Sequence, residues 1–445
     1  MKIYSENSNY KLYQGNMLDM LEVIEPNSID SVITDPPYGL TSITKRFGKE
    51  NSAKCQYGKD GSFQRLSKGF MGKEWDGSGI EYNIDTWKKC FEVLKAGGYL
   101  IVFGGSRTFH KVACAIEDAG FEIRDTIMWL YGSGFPKSQN IGKMYDKKMK
   151  NDREKIGETR IGKTSLGDGS GWDTSQNMKD IKATGKVDIT KGTSKWEGWG
   201  SCLKPSFEPI IVARKPFKGS LVDNVIENGV GGINIDECRV ETTDIRKGGS
   251  GVIGITGFSK GKQDIYTGGR FPANTILTYD ETDFDEVCGG FPNTKGNGNI
   301  RHNKNDGKGY NCYSNYGDCD TKGYDDSGSA SRYFYCAKAS KKDRDCNGTI
   351  RNIHPTCKPC NLMQYLVRLV TPNGGTILDP FNGSGSTGKA VMYENKERNK
   401  NYKYIGIELT EEYLPISKAR IEYVCNLKNK KESQMTIFDL ENNNE

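Results

Sequence analysis

The chain has 445 residues, 63 Lys and Arg against 57 Asp and Glu, and a formal net charge of +6. That length allows two or three domains and a sizeable core. The absence of any run of about 18 apolar residues excludes a membrane-spanning helix, and the modest charge permits a nucleic-acid partner without establishing one. The N-terminus, MKIYSENSNYKLY, lacks the apolar centre of a signal peptide, so the expected location is cytoplasmic. The 13 cysteines are then expected as thiols. Cys357 and Cys360 form the single C-x-x-C, with no second pair, so no metal site is expected.

In chain order, residues 29–38 (IDSVITDPPY) read as a buried strand ended by two prolines. Residues 41–74 are polar and basic with several glycines, the composition of a mobile loop. In residues 85–96 Trp87, Phe91 and Leu94 share one helical face, and 97–105 (GGYLIVFGG) form a second apolar strand. Residues 124–131 and 208–213 are further strands, separated by a polar insertion over 136–203 without apolar periodicity. Region 217–345 is mixed, with short apolar pieces such as TILTY (275–279) among Gly- and Asn-rich segments. Order returns with a helix at 361–371, strands at 376–381 and 402–409, and a helix at 409–424 that tolerates Pro415 only in its first turn. Strand–helix alternation at both ends predicts one α/β sheet assembled from two distant segments.

Residues 383–388 (GSGSTG) follow the strand TILDPF and admit three readings. Gly383, Gly388 and Lys389 fit a P-loop, but Ala390 stands where a hydroxyl should hold magnesium. Gly383, Gly385 and Gly388 fit a dinucleotide loop, with Glu408 about 20 residues on as the ribose acid. An S-adenosylmethionine site needs the same glycines and acid and no pyrophosphate. The loop alone does not choose between the last two.

Asp35-Pro36-Pro37-Tyr38 lies at the carboxyl end of a strand, where open α/β sheets place their sites. Its chemistry suits the exocyclic amino group of a base, whose lone pair is delocalised into the ring. Asp35 and the Pro36 carbonyl can accept both N–H bonds, Pro37 helps to stiffen the turn, and Tyr38 can stack on the base. A base in a duplex must first be flipped out, at a cost of a few kcal/mol; stacking offsets roughly 1–3 kcal/mol of it.

Together these motifs resemble the β-class DNA amino-methyltransferases, in which D-P-P-Y precedes D-P-F-x-G-x-G. Here the two are Asp35–Tyr38 and DPFNGSGSTG at 379–388. HPTCKP (354–359), GIEL (406–409), QGNMLD (14–19) and KPSFEPIIVARKP (204–216) also resemble family segments. The resemblance implies a circularly permuted Rossmann-like α/β methyltransferase sheet of about seven strands with an irregular inserted target-recognition region. It implies a catalytic half at 1–216, target recognition at 217–345, a cofactor-binding half at 346–425 and a disordered tail at 426–445. S-adenosylmethionine would be held by Asp19, His354, Thr356, Lys358, Asp379, Phe381, Gly383, Ser384, Gly385 and Glu408; for His354 a plain helix-entry role stays open.

The expected reaction is methylation of adenine N6 in double-stranded DNA. Cytosine N4 is the nearest rival, although the family favours Ser rather than Asp at position 35 for cytosine. An inactive DNA-binding protein is the rival of another class. Lysines and arginines of 41–74, with Lys137, Lys143, Lys147 and Lys148, are candidate DNA contacts, and the tail residues Gln434, Ile437 and Phe438 resemble a sliding-clamp peptide. A homodimer and association with the nucleoid of a bacterial or phage-infected cell complete the expectations.

Overall fold

A computed structural model describes residues 2–39, 79–131, 138–160, 186–240, 246–247, 265–266, 269–279, 291–295, 300–303, 319–322, 327–338 and 341–427. The 41–74 segment and the 434–440 peptide lie outside the described residues. The chain divides into two compact units, Met1–Tyr131 with Phe207–Glu445, and Gly132–Ser206.

The larger unit is built on a sheet whose strands are β1 (Lys2–Glu6), β2 (Tyr10–Gln14), β3 (Ile29–Thr34), β4 (Leu94–Phe103), β5 (Glu122–Tyr131), β8 (Phe207–Arg214), β9 (Thr275–Tyr279), β10 (Tyr335–Lys338), β11 (Thr376–Asp379) and β12 (Lys403–Glu408). Strands β6 (Glu154–Arg160) and β7 (Lys186–Lys191) belong to the smaller unit. The ten-stranded order is β1-β2-β12-β11-β3-β4-β8-β5-β9-β10. Strands β2, β12, β11, β3 and β4 run parallel, and β8 is antiparallel to both its neighbours. The two C-terminal strands β12 and β11 thus lie side by side between the N-terminal strands β2 and β3, so one sheet is assembled from two distant segments, as the sequence predicts. The sheet exceeds the expected seven strands because it also carries β1 and, from within 217–345, β9 and β10. The second compact unit, Gly132–Ser206, falls within the expected polar insertion and its flanks.

Alternation along the strands divides the core. Ile33, Tyr99, Ile101 and Phe103 join one cluster, while Val32, Leu100 and Val102 join the other. Helices α1 (Met17–Leu21), α2 (Ile84–Val93) and α3 (Phe109–Asp118) cover the second face, and α6 (Cys360–Val370), α7 (Ser386–Arg398) and α8 (Leu414–Cys425) cover the first. Each fully buried Ile or Leu here contributes about 1.5–3 kcal/mol. Asn83 caps α2, accepting from Asp85 N at 3.0 Å. That helix stops at Val93, so Leu94 opens β4 instead of closing the predicted helical face. Pro415 sits in the first turn of α8, where its missing N–H costs nothing. Helix α5 (Leu221–Asn228) begins with a capping box between Ser220 and Asp223.

The smaller unit, which the sequence shows only as a polar insertion, has helix α4 (Ile141–Met149) and an antiparallel pair, β6 (Glu154–Arg160) with β7 (Lys186–Lys191). Its centre is ionic: the Arg153 guanidinium bonds Asp146 and reaches Glu197 at 2.8 and 2.9 Å. No helix among the described residues is long and apolar enough to cross a membrane.

Candidate active site

Two loops meet at the carboxyl ends of the adjacent strands β3 and β11. Thr34, the last residue of β3, donates to Asp379 Oδ1 at 2.6 Å. Thr387 of α7 donates to Asp379 Oδ2 at 2.6 Å, and Phe381 N donates to Oδ1 at 3.1 Å. Asp379 therefore ties the Asp35–Tyr38 turn to the glycine loop. Burial pushes its pKa up to about 6 despite these three donors.

Asp35 projects from the end of β3. Its Oδ2 accepts from Lys358 Nζ at 2.6 Å, and its Oδ1 is buried with no hydrogen-bond partner among the described residues. Lys358 Nζ also lies 3.4 Å from Glu208 Oε2 and 3.1 Å from Tyr38 Oη. The ammonium is packed over the rings of Phe103 at 4.9 Å and Tyr38 at 5.2 Å. Burial alone would lower the Lys358 pKa, but the carboxylates of Asp35 and Glu208 outweigh it and hold it above the ordinary lysine value. Tyr38 Oη donates to Glu208 Oε2 at 2.5 Å, and Thr108 Oγ1 donates to the Tyr38 carbonyl at 2.8 Å. Burial and then the two acids raise the Tyr38 phenol well above its usual range. Pro36 and Pro37 are buried, so the turn is held at ring and backbone together.

In the glycine loop, Gly383 and Gly385 adopt φ of +51° and +74°, which glycine reaches without steric cost. A Cβ on Gly385 would stand 2.5 Å from Ser417 Oγ. Glu408, at the end of β12, accepts from Gly383 N and from Thr410 N, each at 2.7 Å, and burial lifts its pKa to about 7. Ser384 is buried, and its carbonyl and hydroxyl both accept from Arg420 Nη1, at 2.8 and 3.0 Å. Arg420 Nε and Nη2 have no hydrogen-bond partner among the described residues, although the side chain is fully buried. His354 is buried against the Tyr413 ring at 4.4 Å, and its Nδ1 bonds the Thr356 carbonyl. Because a carbonyl only accepts, Nδ1 carries the proton. Burial lowers the His354 pKa to about 4.

The structure thus gathers Asp35, Tyr38, His354, Thr356, Lys358, Asp379, Phe381, Gly383, Ser384, Gly385 and Glu408 around these two loops. Asp19 is exposed on α1, and no hydrogen bond among the described residues joins it to them. Lys389 is held by Asp343, whose backbone oxygen lies 2.7 Å from Nζ. A lysine so engaged does not serve a P-loop.

Sequence reasoning missed Glu208 and Arg420. Arg420 carried a signal: it falls four residues after Ile416 on the buried face of α8. Glu208 had only its place beside Pro209 at the start of an apolar strand.

A family model described as DNA methylase matches residues 29–419. The chain belongs to this family. Among its relatives is the Type II methyltransferase M.HindIII of Haemophilus influenzae, 26% identical over 242 residues, or 50% of this chain and 64% of that one. The Type II methyltransferase M2.LlaDCHI of Lactococcus lactis is 27% identical over 252 residues, 52% of this chain and 82% of the relative. The chain thus spans just under two thirds of the first relative's length. Among solved structures, PvuII DNA methyltransferase (cytosine-N4-specific) aligns over 98% of this chain and 95% of its own at 13% identity and a TM-score of 0.40, too distant to add to the fold already described. For this DNA methylase family member, the match begins with β3 and ends in α8, so it embraces both loops of the site.

Proposed function

We propose that this member of the DNA methylase family transfers a methyl group from S-adenosylmethionine to N6 of a flipped-out adenine in double-stranded DNA. The observation that carries the reading is the asymmetry of Asp35: Oδ2 is held by Lys358, while Oδ1 is buried and has no partner among the described residues. A buried carboxylate oxygen without a donor calls for one, and an amino group provides it.

The residues of the glycine loop fit the cofactor. Positive φ at Gly383 and Gly385 lets a ligand approach the backbone. Arg420 brings a buried guanidinium, whose Nε and Nη2 have no hydrogen-bond partner among the described residues, to Ser384 and Ser386 at the amino end of α7, which favours an anionic group such as the methionine carboxylate. Glu408 would take the ribose hydroxyls, with Asp379, Phe381 and the 354–358 segment framing the loop. The cofactor supplies an electrophilic methyl on sulfur.

The protein's own work is positioning. Asp35 Oδ1 and the Pro36 carbonyl accept the two amino N–H bonds, which localises the nitrogen lone pair toward the methyl carbon. The methylated nitrogen would have one proton to lose, which Asp35 or water would take. Tyr38, fixed by Glu208 and Thr108, offers the stacking face.

The test is base-resolved modification of plasmid DNA from cells expressing the wild type or Asp35→Ala. Methyl-adenine in one short context, lost in the variant, is the expected result. Methyl-cytosine would overturn the choice of base, and no modification with cofactor and DNA binding intact would overturn the reaction.

A further inference from the structure

The charge of the chain is unevenly placed. Residues 132–206 hold 15 Lys and Arg against 9 Asp and Glu, a net +6, in 75 residues. Residues 41–74 hold eight against three, a net +5, and the other 336 residues are therefore net −5. A basic insertion on an acidic remainder is not what uniform solvation of a surface requires.

Side-chain placement sharpens the asymmetry. Arg153 draws Asp146 and Glu197 inward, with Asp146 only 1% exposed. Lys155 pairs with both Glu158 and Asp188 at 2.7 Å. Two cations thereby engage four acids. Lys148, Lys150, Lys191, Lys195 and Lys204 are all exposed. Trp199 is 58% exposed and packs edge-on against Trp196 at 5.2 Å, with Lys195 Nζ 5.3 Å from the Trp196 ring. Exposed tryptophan interleaved with lysine is unfavourable in water alone and suits a polyanion that presents flat or apolar surface, as nucleic acid does.

We infer that the Gly132–Ser206 unit is a DNA-gripping module, which binds the duplex through its phosphates and supplies affinity without reading sequence. The inference rests on the proposed DNA reaction and adds the part of the molecule that holds the substrate. A phosphate-directed grip predicts salt-dependent, sequence-independent binding.

The test uses the full-length protein and a labelled mixed-sequence duplex, with affinity measured from about 50 to about 200 mM salt. The proteins are the wild type, a variant carrying Lys148→Gln, Lys150→Gln, Lys191→Gln and Lys195→Gln, and Lys148→Glu alone as a milder change at an exposed helical position. Melting temperatures confirm that each is folded. The slope of log affinity against log salt should fall by about 0.9 for each phosphate no longer neutralised, hence by about 2 to 4 in the fourfold variant. KM for DNA should rise about tenfold while kcat at saturating DNA, cofactor affinity and methylated context stay constant, because phosphate-directed lysines hold the duplex and specify nothing. A folded fourfold variant with the wild-type slope and KM overturns the inference. A wild type that binds duplex but methylates no DNA would count against the proposed reaction and leave the grip intact.

Discussion

Lys358 Nζ donates to Asp35 Oδ2 at 2.6 Å across 323 residues of chain, and the same nitrogen lies 3.4 Å from Glu208 Oε2. One buried cation thus serves two acids, and the second acid holds the Tyr38 hydroxyl. Lys358→Met leaves both carboxylates without counter-charge. The expected loss is about 3–5 kcal/mol of stability, read by denaturant unfolding, together with methyl transfer. Adding Glu208→Gln should recover part of the stability and none of the activity. A single variant as stable as the wild type would show that the cluster is not coupled.

Asp35→Asn keeps the shape of the side chain and removes one strong acceptor. Turnover should fall about 100- to 1,000-fold, as when a preorganised polar group is removed from a transition state. Cofactor and DNA affinities should hold, and single-turnover rates against equilibrium binding separate the two effects.

Gly385→Ala places a methyl 2.5 Å from Ser417 Oγ and 3.0 Å from Ser417 Cα, at a φ of +74°. The expected cost is about 1–3 kcal/mol, with weaker cofactor binding by calorimetry. Gly232→Ala is the control, because nothing lies within 4 Å of its added Cβ. Equal melting temperatures for the two variants would refute the crowding argument.

His354 and Glu408 give opposite pH signatures. The His354 pKa is depressed from 6.5 to about 4. Its contribution to stability is full above pH 6.5 and is lost as pH falls through 4. Relative to His354→Gln, the wild type should lose about 3 kcal/mol across that window. The Glu408 pKa is raised from 4.5 to about 7, so its own contribution is full below 4.5 and is lost as pH rises through 7. If the ionised form grips the ribose, cofactor affinity should weaken below about pH 7, and Glu408→Gln should remove that dependence. Titrations of binding against pH on both proteins decide it.

Much of the site was legible in local pattern. Asp35–Tyr38 and Gly383–Gly388 stand directly after apolar strands, and a strand end in a parallel sheet is a place where sites form. The strands themselves were readable because apolar runs bounded by Gly and Pro must be buried. Less legible were β9 and β10, whose four or five residues sit among Gly- and Asn-rich segments, and the Gly132–Ser206 unit, whose centre is an ion-pair cluster with no apolar period to betray it.

The sequence by itself determined the α/β class, the pairing of two distant segments, the Asp35–Tyr38 turn and the glycine loop, because each depends on residues adjacent in the chain. Only the tertiary structure decided that Lys358 serves Asp35, that Glu208 fixes Tyr38, and that Asp379 is engaged by Thr34, Phe381 and Thr387. Those partners are set by the order of strands in the sheet. Strands β11 and β3 become neighbours through hydrogen bonds between residues some 345 apart in sequence, and local spacing carries no information about which buried charge will find which.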